Sequence, residues 1–231
     1  MTVTIVHSQG PTESTAQDGH LHWSDGAGGA YEWLTIANAS DGNGGEPDNS
    51  LVNLSLAVFV QHATNDKWQS MTRGIILFDS STISSGDPLH SAIITIEGKA
   101  KNNPAGSQNV NVFSSAPASN TTLTVDDFDN VGETKFCDSD LAYADWDTSG
   151  ANTFELNAAG LTALNLGGIG KFSFRDTAFD HSNTAPTHNH SGAYDANIQG
   201  WSMEENTTGD KRPFITITHG ALPFTPRAIM F

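Results

Sequence analysis

Arg73-Gly74-Ile75-Ile76-Leu77-Phe78-Asp79, the turn cluster Ser84-Ser85-Gly86-Asp87-Pro88 and then Ala92-Ile93-Ile94-Thr95-Ile96-Glu97-Gly98-Lys99 decide the fold class. Both apolar runs are rich in β-branched residues, too short for a buried helix, and bounded by residues that favour turns. The same pattern extends in both directions. Leu51 to His62 mixes alternation with a continuous apolar run, and Val110–Phe113, Lys171–Arg175 and Phe214–Thr218 alternate with period two, as half-buried strands do. Helical character is confined to Phe154–Leu166, where Gly160 limits it to a turn or two. Many strands, wide polar loops and scarce helix predict an all-β, antiparallel β-sandwich. The expected organisation is one domain over residues 1–219, followed by an apolar tail, 220–231.

Composition narrows the function. The 231 residues carry 26 acids against 10 bases, a formal net charge of −16, and only 16% are charged, compared with about 25% in an average domain. Basic residues supply most affinity for a phosphate backbone, so no nucleic-acid partner is expected. No apolar stretch is long enough for a membrane helix, and Met1 to Thr15 lacks the basic and apolar regions of a signal peptide. The single cysteine, Cys137, rules out an internal disulfide and reads as a buried thiol. Arg73, at the head of its strand, is expected to be semi-buried, with its guanidinium satisfied by a carboxylate or carbonyls.

The run Arg73–Asp79, then Ser80-Ser81-Thr82-Ile83, Gly86 and Leu89–Ile96, resembles the DNRLRE (disaggregatase-related) jelly-roll modules. In those modules an arginine-led strand ending in Phe-Asp precedes a short turn and a strand beginning Ser-Ala. Ala144-Asp145-Trp146, Phe154–Gly160, Lys171–Arg175, Ile198–Glu204 and Arg212–Thr218 fit the later strands, so the likeness covers about residues 73–218. Two departures are Ser84, where the family tends to have proline, and the long stretch from Thr177 to Asn197. The resemblance implies an antiparallel jelly-roll sandwich serving as a surface or carbohydrate-binding accessory module, with no catalytic residue of its own. The chain is also similar to jelly-roll structural proteins of phages.

Four sets of residues are candidates for chemistry. Trp23, Tyr31, Trp33 and Trp68 could stack on the apolar faces of sugars, the alternative being ordinary core packing. His188 and His190 share a strand face, and with Asp180 and His181 upstream they could ligate zinc. Asp126, Asp127, Asp129 and Asn130 offer oxygens suited to calcium, without the spacing of an EF-hand. Neither metal is required by the reading. His20 and His22 read as polar positions of an edge strand. Leu222, Phe224, Ile229, Met230 and Phe231 are too apolar for a solvated tail and read as a partner-docking segment. No nucleophile elbow is present, and Asp145 with Asp147 proves nothing without a cleft.

The expected function is therefore non-enzymatic. The first expectation is a structural protein of a virus particle, such as a phage decoration, fibre or tail component, binding copies of itself or other virion proteins. The alternatives are a carbohydrate-binding module at a cell surface or outside the cell, and an accessory domain of a polysaccharide-active enzyme.

Overall fold

The computed structural model describes residues 1–8, 18–24, 29–46, 53–102, 108–187, 194–201 and 211–222. In chain order the elements are β1 (Thr2–His7), β2 (Asp18–Ser24), α1 (Trp33–Ala37), β3 (Gly44–Glu46), β4 (Asn53–Gln61), β5 (Trp68–Asp79), β6 (Leu89–Asn102), β7 (Asn109–Ser114), β8 (Leu141–Ala142), β9 (Ala151–Glu155), α2 (Ala158–Ala163), β10 (Ile169–Asp176), β11 (Tyr194–Trp201) and β12 (Phe214–His219). The fold is all-β and antiparallel; among the described residues, helix is limited to α1, α2 and two 3₁₀ turns. Asn157 caps α2 through its side chain, accepting from the Ala159 and Gly160 amides.

The strands run β1-β12-β6-β11-β4-β5-β10-β7-β8, with β2 and β3 branching from β5 and β9 from β6, and the sheet curls into a half-barrel. Two long strands make the curl possible by changing partners along their length. Strand β6 pairs with β12 over Leu89–Thr95 and with β11 from Gly98 onward. Strand β5 pairs with β4 up to Arg73 and with β10 from Gly74. Each handover falls on a glycine for a steric reason. A Cβ on Gly98 would lie 1.7 Å from the Asp147 carbonyl oxygen, and one on Gly74 would lie 2.9 Å from that of Ser55.

Strand β5 also explains why its apolar run is continuous rather than alternating. Ile76 and Phe78 point into the main core inside the curl, with Leu56, Ile94, Phe154, Phe172, Phe174 and Ile217. Met71, Ile75 and Leu77 point outward into a second core with Leu21, Trp33, Ile36, Phe59, Trp68 and Phe128. A strand covered on both faces needs no polar side.

Strand β2 corrects the edge-strand expectation, because β5 and β3 flank it on both sides. Desolvation, with a smaller push from His22, lowers His20 to about 4, so it is neutral at pH 7. Cys137 is buried and its thiol is pushed up to about 12, chiefly by desolvation. Among the described residues no helix is long and apolar enough to cross a membrane.

Candidate functional site

The outer layer is fixed by a buried ion cluster. Period two places Arg73 on the outward face of β5 with Met71 and Ile75, and Arg175 faces the same layer from β10. Arg73 is 1% exposed, deeper than the semi-buried position its sequence suggests. Its Nε and Nη2 donate to the Asp180 carboxylate at 3.0 and 2.7 Å, Nη2 also to the Ala37 carbonyl, and Nη1 to that of Phe128. Its guanidinium carbon sits 4.4 Å from the centroid of the Phe128 ring. Arg175 donates to the same two Asp180 oxygens at 3.1 Å and to Gly132 and Glu133. Desolvation pushes Asp180 up, but the two guanidiniums outweigh it and hold the carboxyl at about 2.

This geometry overturns Asp180 as a metal ligand: it is 4% exposed and both its oxygens are committed to arginines. His181 Nε2 lies 2.9 Å from the Glu133 carbonyl oxygen, and its ring packs on Phe113. His188 and His190 lie outside the described residues. Among the described residues no group of three or more His, Cys, Asp or Glu is placed to hold a metal. The aspartate run is also put to structural use. Asp127 is buried and accepts from the Thr124 and Ala118 amides, capping its 3₁₀ turn, while Asp126 and Asp129 are exposed.

The four candidate aromatics converge beside this cluster. Tyr31 and Trp68 exchange backbone hydrogen bonds at 3.0 and 2.9 Å. Trp23 meets Tyr31 edge to face at 4.7 Å, and Trp33 meets Trp68 at 5.6 Å and Phe59 at 5.4 Å. Trp33 and Trp68 are 2% and 3% exposed, which corrects their expected role as an exposed sugar platform; Trp23 and Tyr31 are half-buried. Trp33 and Trp68 instead help line a cavity of about 490 Å³, together with Glu32, Leu34, Asp66, Ala185 and Pro186. Leu34 is 54% exposed, and Glu32 is ion-paired with Lys67. The Trp33 Nε1–H is buried without an acceptor among the described residues, a deficit of about 1–3 kcal/mol.

Sequence reasoning missed most of this lining. Ala185 and Pro186 reach the cavity because the turn after Asp180 is anchored to β5, which no local pattern encodes. It also missed a relay at the base of the sheet. His219 contacts Thr4 Oγ1 through Nε2 at 2.9 Å and Asp87 Oδ2 through Nδ1 at 2.8 Å. The order hydroxyl, imidazole, carboxylate matches that of hydrolytic triads, but Thr4 sits mid-strand opposite Ile217, not on the sharp turn that presents a nucleophile. Here the relay clamps β1 and β12 to the turn before β6.

A second cavity, of about 380 Å³, lies by Cys137, Asp138, Asp140, Glu155 and Asn157. Two of its carboxylates are engaged in the fold: Asp140 accepts from Lys135, Asn111 and Thr177, and Asp138 accepts from Asn157. The tail candidates Phe224, Ile229, Met230 and Phe231 lie outside the described residues, and Leu222 is 65% exposed. No family model and no curated protein matches the chain.

Proposed function

We propose that the chain is a non-enzymatic binding module of jelly-roll type whose ligand is a saccharide held at the aromatic cavity. The observation that carries this reading is the cavity itself: exposed Leu34 and apolar Pro186 line it, the buried Trp33 and Trp68 indoles back it, and Glu32 and Asp66 add carboxylates. Apolar ring faces with a few polar groups at their margin suit a sugar, which presents C–H faces and hydroxyl edges. The half-buried pair Trp23 and Tyr31 lies next to this wall and could extend contact to a second sugar unit. The change of sheet partner along β5 and β6 supports a jelly-roll reading of the curl.

The test is an oligosaccharide array followed by NMR titration of the tryptophan indole N–H signals. The expected result is saturable binding that shifts the Trp33 signal and is lost in Leu34→Glu, a substitution at an exposed position that leaves the fold intact. An array without binding, or binding indifferent to Leu34→Glu, would overturn it.

One observation favours a second, compatible reading. Leu222, the first large apolar side chain of the C-terminal segment, is 65% exposed at the end of the sheet. A segment with this composition supports assembly with further copies or other proteins, as in a virus particle where the module would serve as a decoration, fibre or tail component. Surface display outside a virion is the alternative location.

A further inference from the structure

Strand β1 lies at one end of the strand order and, among the described residues, pairs only with β12. Its six residues, Thr2-Val3-Thr4-Ile5-Val6-His7, include no Lys, Arg, Asp, Glu, Gly or Pro. Natural sheet edges are protected by charge, proline or a bulge, and an edge lacking these is a template for another strand. Alternation turns Val6 into the core and leaves Val3 63% and Ile5 55% exposed. Met1 and Leu222 are 61% and 65% exposed, and the Met1 amino group donates to the Ala221 carbonyl at 2.8 Å, which sets Leu222 beside the start of β1.

We propose that this strip is a self-association interface, occupied by the β1 edge and the 223–231 segment of a second copy of this chain. The inference rests on the assembly reading and names its receiving surface. Four such side chains offer on the order of a few hundred Å², short of the roughly 800 Å² per partner that a stable interface needs. The segment Pro223-Phe224-Thr225-Pro226-Arg227-Ala228-Ile229-Met230-Phe231 supplies the missing apolar area. Fully extended it spans about 30 Å, longer than the roughly 20 Å of a six-residue strand. Because it leaves from the margin of the strip, a two-fold related copy brings its own segment to the same patch, as an isologous interface demands.

Sedimentation velocity on the full chain, on Val3→Lys/Ile5→Lys and on a chain ending at Leu222 tests the proposal. The wild type is expected to dimerise, and both variants to do so at least about tenfold more weakly, with the melting temperature of the lysine variant close to that of the wild type. A wild type that stays monomeric overturns this inference and the assembly reading together. Loss of the dimer on truncation but not in the lysine variant preserves the assembly reading and overturns the strip. If the lysine variant does not fold, Val3→Thr/Ile5→Thr retains β-branching and takes its place; an undiminished dimer in that variant overturns the proposal.

Discussion

The two faces of β5 belong to differently built regions. The inner face contributes Ile76 and Phe78 to a core built mainly of aliphatic and phenyl side chains, with Trp146 and Cys137 among them, and held by shape. The outer face contributes Met71, Ile75 and Leu77 to a core whose lid of loops is tied down by a carboxylate shared between two arginines. A curled sheet closes on its own hydrogen bonds, whereas loops have no ladder and need side-chain anchors to stay packed. The cavity proposed to hold a saccharide lies in the anchored region, so its shape depends on the ion cluster.

The largest expected effect tests that coupling. Asp180→Ala leaves two buried guanidiniums facing each other without their shared counter-ion, and removing one partner of a buried ionic cluster costs about 3–5 kcal/mol. Chemical denaturation should show that loss, and amide exchange should locate it in α1, residues 123–132 and residues 177–187. A variant losing less than about 1 kcal/mol would mean that the loops pack without the anchor. A smaller effect sharpens the contrast between the faces. Ile75→Ala and Ile76→Ala remove the same volume from neighbouring, fully buried positions, each costing about 2–4 kcal/mol. The inner substitution should lower protection throughout β6, β10 and β12, while the outer one should act mainly on α1 and the loops.

Acidity separates two buried carboxyls with opposite shifts, Asp180 in the outer layer and Asp176 on the side of β10 that carries Phe172 and Phe174. Asp180, held at about 2 against an ordinary 3.8, stabilises the fold above about 3.8, and that contribution is lost as pH falls through 2. Asp176 is pushed up to about 7, mainly by burial, although the Asn109 and Phe179 amides donate to it. Its protonated form suits the fold, so its contribution is complete below 3.8 and is lost as pH rises through 7. Protection of residues 177–184 should therefore be highest near pH 4 and decline toward neutrality, and Asp176→Asn should flatten that decline. An unchanged pH profile in Asp176→Asn would place the titrating group elsewhere.

The strands were legible because period-two alternation and turn residues are local signals: Lys171–Arg175, Val110–Phe113 and Phe214–Thr218 all fall within strands. The apolar run of β5 signalled burial on both faces but not what covered the outer one. That cover depends on the pairing of Arg73 with Asp180, 107 residues apart, and no periodicity links positions so distant. The aromatic set was legible as a group, but which of its rings would be buried was not, since the bridge between Tyr31 and Trp68 brings Trp68 against Trp33 in the core. Asp180 looked like a ligand beside His181 for the same reason: an acid next to a histidine reads alike whether it faces solvent or two arginines.

The smallest effect probes a polar tie at the rim of the main core. Thr4→Val keeps the shape and β-branching of the side chain and removes only the hydroxyl that meets His219 Nε2. His219 keeps Asp87 on its other nitrogen, so the ring is not wholly stranded. A hydrogen bond of this kind contributes about 0.5–1.5 kcal/mol net, and the added methyl recovers part of it by burial. The expected loss is about 1 kcal/mol or less, with faster exchange confined to β1 and the end of β12. That local loosening would leave the cavity untouched, so saccharide binding in Thr4→Val should equal that of the wild type. If instead the variant lost as much stability as Asp180→Ala, the inner face would depend on polar anchoring too, and the distinction between a core held by shape and one held by charge would fail.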